Sequence, residues 1–361
     1  MGPPSPFETA LSRLLRVRAT LWFSAFALTL RSPRQRASRR AMAAHGAILG
    51  ALCGGLLVAA SACAEPLAYI TAQGADAIAV VDLALARVVE TVKVGKKPAG
   101  VAVAPGGLRI YATNPEGHSF SVIERDAQGG HRVVAEVLAG AGPLGLALDP
   151  AGERIFVADW YGDQVHVFDA KTLKQTGAIT VGQSPAGMAS DPQGKFLYVA
   201  NRESDSVCVV DLATLKTVAT LAVGKAPFGV TYDANGPRVL VANVQSGDVS
   251  VIDPTARRET RRLKARSFPY SVAVTRDGGK IFVTNQHDDS VTVFDGATYA
   301  ELKTIDACGY PEGARAAPDG DIYVACWMDD VLARIDARTL AVTAKIPVAA
   351  SPRAFGAFIA P

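Results

Sequence analysis

The hydrophobic and polar positions of this chain alternate in short runs that turn residues separate. The clearest example is the stretch 197–229, which reads LYVANRESDSVCVVDLATLKTVATLAVGKAPFG. Three alternating runs within it end at Asn201, Asp211 and Gly224, and a fourth begins after Pro227. Period-two alternation with β-branched residues, interrupted by polar, Gly and Pro turns, predicts four short antiparallel strands.

The same pattern is written seven times along the chain. A large, mostly aromatic residue in the first run recurs at intervals of 42, 45, 42, 42, 42 and 41 residues: Tyr69, Tyr111, Phe156, Tyr198, Leu240, Phe282 and Tyr323. The link to the next unit carries a proline in every copy: Pro98, Pro143, Pro185, Pro227, Pro269, Pro311 and Pro352. Seven four-stranded units with a period near 42 predict an all-β, seven-bladed β-propeller.

The phase of the repeat predicts how the ring closes. We name the strands of a blade A to D from the axis outward. After residue 64 the chain starts in a B strand, 67–71, and ends in an A strand, 354–359. The C-terminal A strand should therefore complete the blade begun by the N-terminal B, C and D strands, which removes the free sheet edges. We expect one propeller domain over residues 65–361.

The charge of the propeller differs from that of the whole chain. The 361 residues carry a net charge of +3, from 37 basic and 34 acidic residues. Residues 1–64 account for eight arginines and one glutamate, which leaves 29 basic and 33 acidic residues from Glu65 onwards. Because this body is mildly acidic, it gives no electrostatic reason for nucleic-acid binding, and we expect none.

Residues 1–64 have the pattern of an export signal. Two arginines, Arg39 and Arg40, precede a small-residue apolar run over 47–60, and Ala62-Cys63-Ala64 follows. These are the parts of a cleavable signal peptide, so the mature chain should begin near Glu65. Residues 1–41 show no pattern typical of a folded domain, which makes Met42 an alternative start. We expect a periplasmic protein with no membrane span in the mature chain, and leave twin-arginine export and lipid attachment at Cys63 open.

The repeat also resembles a known family. The runs IYATN, LYVAN and IFVTN, the VxVxD runs that follow them, and the links VGKKPAG and VGKAPFG are similar to the YVTN-repeat β-propeller family, over essentially all of 67–359. The resemblance implies an exported or surface-exposed seven-bladed propeller; similar propellers act as lactonases, lyases or subunits of redox enzymes. This chain departs from the family pattern at Ala72 and Cys326, where Asn is expected, and at Ser271 and Ala354, where Gly is expected.

The B–C and D–A loops share one face of a propeller, around the mouth of the central channel. We call it the loop face, and the opposite face, with the A–B and C–D turns, the turn face. Binding residues concentrate on loops that a rigid scaffold holds, so the loop face is the candidate site. The candidate ligand- or partner-binding residues there are Trp160, Tyr161, Arg202, His287, Tyr310, Glu312, Trp327 and Arg353. The turn face carries Pro, Gly and Asp turn residues, and we expect little chemistry from it.

Trp160 and Trp327 are the strongest local signal, because they are the two tryptophans after residue 64 and each directly follows a B strand. Exposed aromatic side chains at a channel mouth favour ligand stacking or a protein-binding hot spot. The alternative is that both indoles cap the packing between neighbouring blades, since Trp is usually largely buried.

Two cysteines lie near each other in the predicted fold. Cys308 precedes an A strand and Cys326 ends the adjacent antiparallel B strand, so a disulfide between them is one of two open alternatives, the other being free thiols. We found no C-x-x-C or H-x-x-x-H spacing in the sequence, and we predict neither a metal site nor a cofactor.

These patterns favour binding over chemistry. We recognise no Ser-His-Asp order, phosphate-binding Gly-rich loop or haem C-x-x-C-H motif in the sequence, although a propeller can assemble a catalytic site from several loops. We expect an exported, monomeric scaffold for an unidentified periplasmic protein or small ligand, and leave enzyme activity open. The alternatives are an enzyme of the lactonase or lyase type and an accessory subunit of a periplasmic quinoprotein or cytochrome system.

Overall fold

The computed structural model describes residues 66–360, whose strands form seven β-sheets, one for each predicted blade. The seven-bladed, all-β prediction is confirmed. The predicted signal peptide, its cleavage site and Cys63 lie outside the described residues.

The strands follow one another in the order A to D within each antiparallel blade. Blade 1 contains β1 (Leu67–Ala72), β2 (Ala77–Asp82) and β3 (Arg87–Lys93). Blade 2 contains β4 (Gly100–Val103), β5 (Arg109–Asn114), β6 (Ser119–Arg125) and β7 (His131–Leu138). Blade 3 contains β8 (Pro143–Leu148), β9 (Arg154–Asp159), β10 (Gln164–Asp169) and β11 (Gln175–Thr180).

The remaining blades repeat this order. Blade 4 contains β12 (Pro185–Ser190), β13 (Phe196–Asn201), β14 (Ser206–Asp211) and β15 (Lys216–Ala222). Blade 5 contains β16 (Pro227–Asp233), β17 (Arg238–Asn243), β18 (Asp248–Asp253) and β19 (Arg258–Lys264). Blade 6 contains β20 (Pro269–Val274), β21 (Lys280–Asn285), β22 (Ser290–Asp295) and β23 (Glu301–Asp306). Blade 7 contains β24 (Pro311–Ala316), β25 (Ile322–Cys326), β26 (Val331–Asp336) and β27 (Ala341–Pro347), and β28 (Phe355–Ala357) follows it.

The core lies between the blades. The recurring aromatic residue of each B strand is buried there, as Tyr111, Phe156 and Tyr198 show, each at most 1% exposed. Along the described part of the chain, no helix is long and apolar enough to cross a membrane.

Strand ends and turns use the polar residues as the sequence indicates. The Asn201 amide donates to Ser206 Oγ at 3.2 Å and accepts the Gly182 N–H at 3.0 Å, so a buried side chain closes the loop. In the C–D turn, Asp211 accepts the N–H and the hydroxyl of Thr214 at 2.8 and 2.9 Å. These turn bonds hold the pKa of the Asp211 carboxyl below its ordinary value.

Neighbouring blades are tied together on the loop face by aspartates at the ends of the B–C loops. Asp163, Asp205 and Asp289 adopt left-handed backbone conformations, which Asp tolerates better than most residues. Each carboxylate accepts a backbone N–H from the next D–A loop, at 2.9 Å for Ser184 and 2.8 Å for Tyr310. These aspartates therefore position the loops.

The ring is closed by the C-terminal segment. Residues Pro352 and Ile359 bridge antiparallel to Ala72 and Ala68 of β1. In blade 4, a regular A strand pairs with its B strand from Pro185 to Ser190. The C-terminal segment has two more residues between its two bridges than this regular strand has between its ends. The longer segment bulges inward, and β28 pairs in parallel with β4 of blade 2.

The inner strands approach one another closely at the Pro-x-Gly links. A Cβ atom at Gly187 would collide with the carbonyl oxygen of Phe228, and one at Gly229 with that of Tyr270. Glycine at these positions lets neighbouring A strands come into backbone contact. The side chain before each glycine is thereby placed beside the channel axis, where the site begins.

Candidate functional site

The loop-face end of the channel is built from one residue of each link. This residue, which we call the inner residue, follows the recurring proline of each blade: Ala99, Leu144, Ala186, Phe228, Tyr270, Glu312 and Arg353. Three of them are aliphatic, two are aromatic and two are charged. The aromatic and charged members lie in consecutive blades and meet at the axis.

Three aromatic side chains close this end of the channel. The ring of Phe228 lies 4.2 Å from that of Tyr270 and 4.9 Å from that of Phe355, measured between centroids. All three are buried, together with the alanines of the neighbouring links. We call Phe228, Tyr270 and Phe355 the aromatic plug. Phe355 reaches the axis because the C-terminal segment bulges inward there.

A buried ion pair lies beside the aromatic plug. The Arg353 guanidinium donates to Glu312 through Nε at 2.6 Å, and its second nitrogen donates to Glu312 at 3.2 Å and to the Tyr270 hydroxyl at 2.8 Å. Gln286 donates to the same carboxylate at 2.8 Å. Glu312 is 2% and Arg353 9% exposed, so each charge is stabilised by the other in place of water.

Burial sets the titration of this group. It raises the pKa of the Glu312 carboxyl, and the charge and hydrogen bonds of Arg353 oppose that rise. Burial alone would lower the pKa of Arg353, but Glu312 and Tyr270 hold it above its ordinary value. Burial likewise raises the pKa of the Tyr270 hydroxyl. Glu312 and Arg353, both of them predicted site residues, therefore bind each other.

Four further side chains lie in a row on the loop face, each ring in contact with the next. Phe268 stacks on His287 with ring centroids 3.7 Å apart, His287 lies 5.1 Å from Tyr310, and Tyr310 lies 5.7 Å from Trp327. The Tyr310 hydroxyl and His287 Nε2 are hydrogen-bonded at 2.5 Å. We call Phe268, His287, Tyr310 and Trp327 the aromatic strip. His287 is exposed and the other three are half-buried.

The surroundings of the His287 imidazole favour its neutral form. Partial burial lowers its pKa, and the charge of Asp289 opposes the shift. In the neutral tautomer that carries its proton on Nδ1, Nε2 can accept the Tyr310 hydroxyl. Protonated His287 can only donate, so the direction of this hydrogen bond depends on pH.

The other predicted residues lie across the mouth. Trp160 is half-buried with its ring 6.4 Å from Phe228, and the Arg202 guanidinium lies 6.0 Å from the centroid of the indole. Tyr161 is 69% exposed. The structure thus brings the eight predicted residues to one face. It divides seven of them between a buried ion pair, the aromatic strip and the Trp160–Arg202 contact, and Tyr161 belongs to none of these groups.

Cys308 and Cys326 are joined by a disulfide, with Cα atoms 5.9 Å apart. Cys308 lies two residues before Tyr310, and Cys326 directly precedes Trp327. The bond therefore fastens the base of the aromatic strip. Cys208 is a buried free thiol.

A cavity of about 520 Å³ lies beneath the aromatic plug, in the part of the channel that faces the turns. Its wall comes from the inner strands of several blades and includes Met188, Thr231 and Arg315, with Phe355 at the plugged end. It reaches Pro105 and Gly106, exposed residues of an A–B turn. The channel interior thus opens toward the turn face, from which we expect little chemistry.

Reasoning from the sequence missed several residues of both channel ends. Phe228, Tyr270, Phe355 and Gln286 are not among the predicted site residues. Arg315 carried a signal, since equivalent A-strand positions hold Ala or Thr: Ala102, Ala147, Ala189, Thr231 and Ala273. A long cation in place of a small side chain on the innermost strand marks the channel.

The comparisons with known proteins agree with the fold. The family model described as "Lactonase, 7-bladed beta-propeller" matches residues 170–267, a little over a quarter of the chain, in blades 3 to 5. A search of curated protein sequences gives no match. The protein is therefore a seven-bladed β-propeller that is similar, over these blades, to lactonase-type propellers.

Solved structures share the whole propeller at low sequence identity. Hydrazine synthase from Kuenenia stuttgartiensis is 20% identical, with a TM-score of 0.68, over 76% of this chain and 93% of that one. The dihydro-heme d1 dehydrogenase NirN is 15% identical, with a TM-score of 0.62, over 80% and 74%. A protein from Bacteroides uniformis described as a candidate 6-phosphogluconolactonase is 15% identical, with a TM-score of 0.68, over 80% and 98%. At these identities the likeness concerns the fold alone.

Proposed function

We propose that this propeller is an exported binding scaffold that docks a partner protein on its loop face. The observation that carries the proposal is the aromatic strip lying over a plugged channel. Enclosed clefts suit small ligands, whereas half-buried aromatic side chains on an open surface suit a protein hot spot. Because the aromatic plug and the Glu312–Arg353 pair fill the channel at this end, the loop face offers a surface and not a cleft.

The backbone of the aromatic strip supports this proposal. The residue before the recurring proline has a left-handed backbone in six links: Lys97, Ser184, Ala226, Phe268, Tyr310 and Ser351. Small and flexible residues satisfy this conformation in four blades. The fold therefore does not require aromatic side chains at Phe268 and Tyr310, and bulky residues are disfavoured there. A binding role accounts for both.

A pull-down from periplasmic extract tests the docking surface. The variant Trp160→Ala/Trp327→Ala should lose the partner that the wild type retains, with the affinity for the identified, purified partner reduced roughly ten-fold or more. The matched control is Leu85→Ala/Leu108→Ala, which removes two exposed apolar side chains, 57% and 62% exposed, from the turn face. A partner bound equally by both double variants would refute docking on the loop face.

Export is tested separately by N-terminal sequencing of the protein recovered from the periplasm. The proposal expects a chain that begins at or near Glu65. Retention of the arginine-rich residues 1–64 would refute it.

Lactone hydrolysis is the second candidate, and the family match over residues 170–267 favours it. Glu312 and Arg353 are occupied by their ion pair, so His287 is the candidate base of the loop face. Hydrolysis of glucono-δ-lactone followed by a pH-stat should proceed no faster with the protein than in buffer if the scaffold proposal holds. A rate that Glu312→Gln leaves intact and His287→Gln removes would favour the enzyme instead.

A further inference from the structure

The turn-side cavity contains a cation without a counterion. Arg315 lies on β24 and lines the cavity, and within residues 66–360 its guanidinium makes no hydrogen bond or ion pair. Its side chain is reached by solvent. Four arginines elsewhere in the ring are paired: Arg154 with Asp149, Arg238 with Asp233, Arg334 with Asp321 and Arg353 with Glu312.

The nearby charges do not neutralise Arg315. Asp149 also lines the cavity, but its carboxylate already accepts Arg154 Nε at 2.9 Å and the N–H of Glu153 at 2.8 Å. Desolvation by the surrounding protein lowers the pKa of Arg315, and the like charge of Arg276 lowers it further. The cavity therefore has a positive end that a bound anion would neutralise.

About half of the wall is apolar. Met188, Val230 and Leu146 line it, with the small side chains of the inner strands. The hydroxyls of Ser190 and Thr231 donate to backbone carbonyls, at 2.9 and 2.6 Å, and are not available as donors, while Ser271 and Tyr232 also line the wall. One guanidinium within an apolar wall suits a carboxylate on an apolar body, because a planar fork matches a carboxylate and a phosphate needs further donors.

We propose that the turn-side cavity binds a small organic carboxylate, with Arg315 as the anchor of the carboxylate and the apolar inner strands around its body. Its volume of about 520 Å³ lies within the range of small-molecule sites, roughly 300–1,000 Å³. The ligand would enter from the turn face, past Pro105 and Gly106. This site is separate from the docking surface, because the aromatic plug lies between them.

Isothermal titration calorimetry with octanoate, octanamide and inorganic phosphate tests the site. Octanamide has the shape of octanoate without its charge, and phosphate has charge without an apolar body. The wild type should bind one octanoate, with octanamide and phosphate each weaker by roughly ten-fold or more.

Variants of Arg315 locate the binding. Arg315→Gln should weaken octanoate roughly ten- to hundred-fold and leave octanamide unchanged, whereas Arg315→Lys, which keeps the charge but not the fork, should fall between them. Arg338→Gln is the matched control, because this arginine is on an exposed turn with its side chain 91% accessible. Since Arg315 has no partner in the described residues, these variants should melt at or above the wild-type temperature, which shows that they are folded.

Three results would overturn the proposal. They are no saturable octanoate binding by the wild type, equal octanoate affinity in wild type and Arg315→Gln, or tighter binding of phosphate than of octanoate. The docking proposal is read out independently: Trp160→Ala/Trp327→Ala should bind octanoate as the wild type does.

Discussion

Strand β24 places one charged side chain at each end of the channel, and only one of the two charges is neutralised by a partner. On β24, Glu312 lies at the loop-face end, where Arg353 neutralises it, and Arg315 lies three residues further along, in the cavity. At the first end every charge has its partner and aromatic rings fill the space. At the second end the space is open and the charge is unpaired. The comparison teaches that an arginine in a channel is structural when the fold supplies its counterion, and available for a ligand when it does not.

Removing the C-terminal segment should have the largest effect, because it contributes to both ends. A chain that lacks residues 354–361 loses Phe355 from the aromatic plug and the strand that completes blade 1. We expect no cooperative thermal transition, since the open ring exposes the edge of β1. Circular dichroism on heating measures this, and an unchanged melting transition would show that the other six blades are stable on their own.

The second largest effect should be a difference in the free energy of unfolding between variants at the Arg353 ion pair and variants at Arg315. Glu312→Ala leaves Arg353 buried without its counterion and should cost about 4 kcal/mol of unfolding free energy. Arg315→Leu removes an unpaired charge and should change the free energy of unfolding by less than about 1 kcal/mol, or raise it. Urea unfolding of both variants measures the contrast. Equal losses would contradict the distinction between a structural and an available arginine.

Loss of an apolar side chain should also destabilise the protein more at the filled end of the channel than at the open end. Phe228→Ala removes a ring from the filled end and should cost about 3 kcal/mol, because it leaves a void that the surrounding strands cannot close. Met188→Ala enlarges a cavity that already exists, so its cost should lie near the lower limit for such changes, about 2 kcal/mol. A larger loss for Met188→Ala, in the same urea experiment, would mean that the cavity is filled in solution.

The smallest expected effect is a pH dependence confined to the loop-face end. The folded state lowers the pKa of His287, so the unfolded chain binds its proton more readily. The contribution of His287 to stability is complete above its ordinary pKa of 6.5 and is lost as the pH falls through the folded value. Wild type minus His287→Phe should therefore show stability falling below pH 6.5.

An exposed histidine elsewhere on the loop face provides the control for that measurement. His118 has a left-handed backbone that Asn also tolerates, which makes His118→Asn a matched change. If His118→Asn altered the pH profile as His287→Phe does, the effect would not belong to the aromatic strip.

The fold was predictable because its determinants are local and repeated. Alternation places Tyr198 in the core, Asn201 closes a loop and Asp211 starts a turn, and each needs only neighbours within its own blade or the next link. The ring closure also followed from the phase of the repeat. The inward bulge at Phe355 did not, since it comes from two extra residues whose placement depends on the contact with β4.

The candidate site was predictable only in its location. The B–C and D–A loops put all eight predicted residues on one face, yet nothing in their spacing indicated that Glu312 and Arg353 would neutralise each other. These two residues are 41 positions apart, and their pairing needs the seventh blade and the closing strand to meet. The same holds for the strip, in which Phe268, His287 and Tyr310 come from separate loops.

By itself, the sequence determined the number of blades, the strand ends, the turns and the face on which aromatic loops lie. It could do so because strand pairing and turn hydrogen bonds act between residues close in the repeat. The tertiary structure alone decided which end of the channel is filled and which arginine is left without a counterion. That depends on side chains from different blades meeting at the axis, where the volume and charge of each one matter only in relation to the others.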